Sequence, residues 1–135
     1  MIKLTDVKRR RTMGLQLLHH YTVSVNDLDR SIKFYEEVLN LKNGPRPNFG
    51  FPGAWLYLDE MPVVHLMAGV ENETTETGPF DHIAFGGTGV EETISHLEQK
   101  GIGFRRNEID DFGLTQLFIL DPDGVKIELN FRQGT

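Results

Sequence analysis

The chain has 135 residues, with 14 Lys and Arg against 20 Asp and Glu, five His and no Cys. That length holds one domain, or two small modules sharing a core. The net charge of −6 argues against a general nucleic-acid binder, which needs a basic face. Without Cys there is no disulfide, thiolate zinc site, iron–sulfur cluster or cysteine nucleophile, so any bound metal is held by His, Asp and Glu.

No apolar run reaches the roughly 18 residues that span a bilayer, so no membrane segment is expected. Residues 1–13 carry Lys8-Arg9-Arg10-Arg11 without a signal-length apolar stretch, and read as a flexible basic tail ahead of a domain at 14–132. A cytoplasmic location is the default expectation.

In chain order, Gln16–Val25 alternates as a strand, with Leu17, His19, Tyr21, Val23 and Val25 on its helix-facing side and Leu18, His20, Thr22 and Ser24 opposite. Asn26 or Asp27 caps a helix whose Leu28, Ile32, Tyr35 and Leu39 recur at helical spacing. Asn43–Gly53, with three Pro and three Gly, reads as a loop or weak strand. Ala54–Leu58 and Pro62–Ala68 are strands around a turn at Asp59–Met61, and the polar stretch 69–79 is a linker. The second half gives a strand at Asp81–Gly86, a helix at Val90–Lys100 stopped by Gly101, and strands at Ile102–Glu108, Leu114–Leu120 and Val125–Phe131. Asp121-Pro122-Asp123-Gly124 supplies the residues a tight turn needs.

The halves repeat. His20 to His82, Leu28 to Val90, Ile32 to Ile94 and Asp59 to Asp121 are each 62 positions, and His65 to Glu128 is 63. Two strand–helix–three-strand modules follow, one at 16–68 and one at 80–132. Neither is large enough to bury a core comfortably alone. The expected fold is α+β, with paired βαβββ modules whose curved mixed sheets carry helices outside and form a cleft inside. Strand parity sorts the His residues. His20, His82 and Glu128 face the cleft; His19 does not, and His96 belongs to an exposed helix face. Parity is ambiguous around Val63, Val64 and Leu66, but equivalence to Glu128 puts His65 in the cleft as a ligand, a supporting group or a general base. Two His and one carboxylate suit zinc, nickel, manganese, cobalt or ferrous iron and leave positions open for substrate.

The runs His20-Tyr21-Thr22-Val23-Ser24-Val25-Asn26-Asp27-Leu28, Phe80-Asp81-His82-Ile83-Ala84-Phe85 and Leu120-Asp121-Pro122-Asp123-Gly124-Val125-Lys126-Ile127-Glu128-Leu129 resemble the vicinal oxygen chelate superfamily. That group includes glyoxalase I, methylmalonyl-CoA epimerase, fosfomycin and bleomycin resistance proteins and extradiol dioxygenases. The resemblance covers residues 16–132. It implies a divalent metal in the cleft, ligand roles for His20, His82 and Glu128, and His65 at the fourth position, where glyoxalase I has a Glu and the epimerases a Gln. Proton transfer then falls to His65 or Glu128. Trp55 and Tyr57 share parity and are candidate cleft walls, and Arg46 and Arg105 are candidate holders of an anionic substrate tail.

Departures from the family narrow the choice. Phe118 stands where extradiol dioxygenases place a Tyr, and Gly113-Leu114-Thr115-Gln116 offers no His. Ile109–Gly113 does not resemble the Ser-rich potassium loop of the fosfomycin thiol transferases. The expectation is a metal-dependent lyase or isomerase acting on a small vicinal-oxygen substrate, as a homodimer. A non-catalytic ligand-binding or resistance protein, or an atypical dioxygenase, is the alternative. Whether His20 and His82 meet within one chain or across two stays open at this point.

Overall fold

The computed structural model describes residues 14–134; the basic cluster at 8–11 lies outside the described residues. The first half forms β1 (Tyr21–Ser24), α1 (Leu28–Glu37), β2 (Lys42–Gly44), β3 (Gly53–Leu58) and β4 (Met61–Met67). The second forms β5 (Ile83–Gly87), α2 (Val90–Gln99), β6 (Arg105–Ile109), β7 (Leu114–Leu120) and β8 (Lys126–Arg132), with a 3-10 turn at Asp110–Phe112. Each half is a four-stranded mixed sheet, ordered β1-β4-β3-β2 and β5-β8-β7-β6.

The sequence repeat becomes strand register. Thr22 lies opposite His65 in the parallel β1–β4 pair, and Ala84 lies opposite Glu128 in the parallel β5–β8 pair. The extra residue of the second half falls in the turn after Asp121. There the Asp121 carboxylate accepts from the backbone N–H groups of Asp123 and Val125, both at 2.8 Å.

Several boundaries differ from the sequence expectation. β1 starts at Tyr21 rather than Gln16, and Leu17 and Leu18 are exposed. The continuing register would set His19 against Pro62, which has no N–H to give a ladder. The loop 43–53 opens with a short real strand, β2, which pairs with β3. In the second half β6 starts later, at Arg105, and β8 runs to Arg132.

α1 starts as read, with Asp27 as its N-cap accepting from the Arg30 backbone N–H at 3.1 Å, and ends at Glu37, before Leu39. Tyr35, Leu56, Leu66, Leu97, Leu117 and Ile127 are fully buried in one core that draws on both halves. Burial of a side chain of that size is worth about 1.5–3 kcal/mol. The halves also meet through polar contacts behind the sheets. The Tyr35 hydroxyl donates to Asp121 at 2.8 Å, Ser31 Oγ donates to Asp123 at 3.1 Å, and the Tyr21 ring lies 6.2 Å from Phe85. His96, expected at the surface, is half-buried and donates from Nε2 to the Glu37 carbonyl at 2.8 Å, joining α2 to the end of α1.

Candidate metal centre

In the second half, β8 carries Glu128 into the sheet's open face, and His82 enters just before β5. The Nδ1–H of His82 donates to Asp81 Oδ2 at 2.7 Å, which leaves its Nε2 3.2 Å from Glu128 Oε1. On a neutral ring those facing atoms both carry lone pairs, an arrangement that a cation between them relieves. Glu128 is buried, and Asn130, two residues along β8, donates to its Oε2 at 2.6 Å. The Asn130 Oδ1 is itself buried without a hydrogen-bond partner, an unmet acceptor beside the carboxylate. Asp81 is fixed in turn: the His82 hydrogen bond and the Lys126 ammonium hold its carboxyl below the usual range.

In the first half, His65 lies in a stack of flat rings. His20 is on one side at 3.7 Å between centroids, and Trp55 on the other at 4.2 Å. The His65 Nε2–H donates to the Pro62 carbonyl at 3.0 Å, so in the neutral ring Nδ1 is the free lone pair. Burial, and next the neighbouring His20, push the His65 imidazole below its ordinary value and favour that neutral ring. His20 Nδ1 meets His19 Nδ1 at 2.8 Å, one donating and the other accepting. In the neutral ring whose Nδ1–H donates, the His20 Nε2 keeps the free lone pair. Each candidate His therefore has one nitrogen engaged by the protein and one left over, the pattern of oriented metal-ligating imidazoles.

The donor chemistry fits a divalent ion of the nitrogen-and-oxygen class. Its distribution is the surprise. Among the described residues no three His, Asp or Glu side chains gather around one point. The four candidates fall into two pairs, His20 with His65 and His82 with Glu128, one pair per half.

The other candidates separate. Trp55 stays on the open face in the ring stack. Tyr57 does not line it freely: its hydroxyl donates to the Pro45 carbonyl at 2.6 Å and its ring covers Gly44, so it anchors the loop after β2. Arg105 lies over the Phe118 ring at 4.4 Å, and Phe118 is edge-on to His82 at 6.0 Å. Sequence reading missed Asp81 and Asn130. Their signals were present, one adjacent to His82 and the other sharing the strand face of Glu128.

Residues 17–129 match the Glyoxalase/Bleomycin resistance protein/Dioxygenase superfamily. The chain belongs to that superfamily. Among its relatives is "Glyoxylase I 4" of Arabidopsis thaliana, 34% identical over 87% of this chain and 71% of that protein. Another is "Glutathione transferase FosA" of Serratia marcescens, 31% identical over 86% of this chain and 81% of that protein. The fold is shared with a glyoxylase/bleomycin resistance protein/dioxygenase domain from Frankia sp. EAN1pec, at a TM-score of 0.72 and 21% identity over 90% of this chain and 95% of that one. Superfamily relatives thus include both glyoxalase-type and transferase-type enzymes. No helix among the described residues is long and apolar enough to cross a membrane.

Proposed function

We propose that this superfamily member is a divalent-metal-dependent lyase or isomerase of the glyoxalase type, acting on a small substrate with two adjacent oxygens. In this reading the working unit is a homodimer. His20 and His65 of one subunit would meet the partner subunit's His82 and the partner subunit's Glu128 across the interface. The observation that carries it is the pairing described above: oriented donors, two per half, that do not converge within one chain.

His20, His82 and Glu128 would hold the ion, and His65 would be the fourth donor or, at Nδ1, the group that takes the proton. Burial keeps the His65 ring neutral near pH 7, which suits either task. The metal, when bound, would supply Lewis-acid polarisation of the chelated substrate oxygens. Asp81 and Asn130 hold the His82 ring and the Glu128 carboxylate in place, and the Arg105–Phe118 pair offers a cationic, aromatic wall beside them.

Metal analysis of the purified chain tests this reading. The expected result is one divalent ion per chain, lost in His82→Ala and in Glu128→Ala. His65→Ala then separates its two roles: metal retained with activity lost marks a base, and metal lost marks a ligand. A protein that takes up no nickel, zinc, manganese, cobalt or iron contradicts the reading. A purely ligand-binding protein would keep its ligand affinity in His20→Ala and His82→Ala.

A further inference from the structure

The loop between β2 and β3 builds a second feature on the open face of the first half. Arg46 reaches back over the sheet with its guanidinium 5.0 Å from the centroids of both Phe49 and Phe51, which stack on each other at 5.8 Å. Phe49 lies 6.2 Å from Trp55. These residues, with Thr22, His65 and Met67, surround a hollow of about 170 Å³. Gly53 makes the placement possible, because a Cβ there would lie 2.7 Å from an Arg46 guanidinium nitrogen. Arg46 is half-buried, and among the described residues no carboxylate pairs with its guanidinium. Phe49 and Phe51 stay substantially exposed, at 50% and 39%.

An unpaired guanidinium fixed over aromatic rings attracts a planar oxyanion bidentately, and the rings offer a stacking surface for whatever carries it. Among the described residues Arg46 is the sole cation lining the hollow, so a monoanion balances it. An engineered cavity of about 150 Å³ takes one benzene, so this hollow has room for a single ring.

We propose that the hollow walled by Arg46, Phe49, Phe51 and Trp55 is the substrate's recognition subsite, and that the substrate class is a single-ring aromatic carboxylate. The carboxylate sits on Arg46 and the ring on Trp55. His65 borders the same hollow and stacks on Trp55, so the subsite adjoins the half-site of His65 and His20; the link to catalysis rests on the metal-centre reading. The subsite itself does not.

The chain has one Trp, so its intrinsic fluorescence reports on Trp55. The full chain, with and without chelator, is titrated with benzoate, its neutral twin benzamide, and acetate. The expected result is a saturable change with benzoate, binding at least tenfold weaker for benzamide, and no saturation with acetate. Arg46→Gln should abolish the preference for benzoate while leaving the metal content unchanged. Equal binding of benzoate and benzamide by the unaltered chain overturns the proposal without any variant, as does an absence of saturation. Benzoate selectivity in a chain that binds no metal would sustain the subsite and defeat the metal reading. Metal binding without benzoate selectivity would do the reverse.

Discussion

The Nε2 atom of His82 stands 3.2 Å from Glu128 Oε1, with Asp81 holding the opposite ring nitrogen at 2.7 Å. A carboxylate, an imidazole and a second carboxylate in line present one oriented nitrogen and one oxygen to the same point. Nothing in that chain of contacts requires the other half of the molecule, which is why each module is read as half of a site.

The Asp81 contact gives the first prediction. Asp81→Ala frees the His82 ring to rotate and to exchange tautomers. Loss of such a supporting carboxylate typically weakens metal affinity by about 10–100-fold. Competition with a chromogenic chelator should show a drop of that order with little change in thermal stability, since Asp81 is exposed. An unchanged affinity would mean that His82 is oriented by something else.

Tyr35→Phe tests the joint between the halves. The Tyr35 hydroxyl is fully buried and is the donor to Asp121 Oδ2. Its removal leaves a buried carboxylate oxygen short of a partner, at a cost of about 1–3 kcal/mol. Urea denaturation should show the loss as a lower midpoint with an unchanged slope.

Asp121 also sets a pH dependence. Burial raises its carboxyl pKa in the folded chain, although Tyr35 and two backbone N–H groups oppose the shift. Between the ordinary aspartate value of 3.8 and the raised folded value, the folded state binds more protons than the unfolded state. This group's contribution to stability therefore falls as pH rises through that window and is constant on either side. The difference in unfolding free energy between Asp121→Asn and the unaltered chain should move in favour of Asn as pH climbs through the window, then level off. A difference independent of pH would show that Asp121 keeps its ordinary pKa on folding.

Gly53→Ala addresses a close approach of backbone to backbone. The added Cβ would lie 2.4 Å from the Leu66 carbonyl oxygen as well as against Arg46. A carbonyl within a sheet cannot swing away, so β3 and β4 must separate at that end. A stability loss of about 1–3 kcal/mol is expected, as for overpacking elsewhere, with Trp55 fluorescence altered in the folded protein.

Much of the fold was legible because the repeat is written in spacing. An offset of 62 that becomes 63 after the second turn set His65 against Glu128, and the strand register has the same offset. Tyr57 was misjudged because parity says which side a ring leaves the strand, not whether its hydroxyl is already taken by Pro45. β1 was overextended because alternation in Gln16–Val25 carries no information about the Pro62 opposite it. Asp81 escaped notice for a related reason: its role comes from contacts with His82 and Lys126, and it is an ordinary charged residue in the linear chain. Arg46 was legible only as a cation for an anionic tail, because its place over Phe49 and Phe51 is set by the fold of the loop.

In the proposed dimer, His20 and His65 complete a site with the partner's His82 and the partner's Glu128. The direct measurement is metal content after mixing two inactive chains, His20→Ala with His65→Ala in one and His82→Ala with Glu128→Ala in the other. In a two-fold dimer whose sites span the interface, each mixed dimer regains one site built wholly from unaltered residues. Statistical reassortment then restores about a quarter of the unaltered protein's bound metal, from none in either chain alone. Restoration to that level is the predicted result; two chains that stay metal-free after mixing and subunit exchange, while the unaltered protein binds metal, would contradict it.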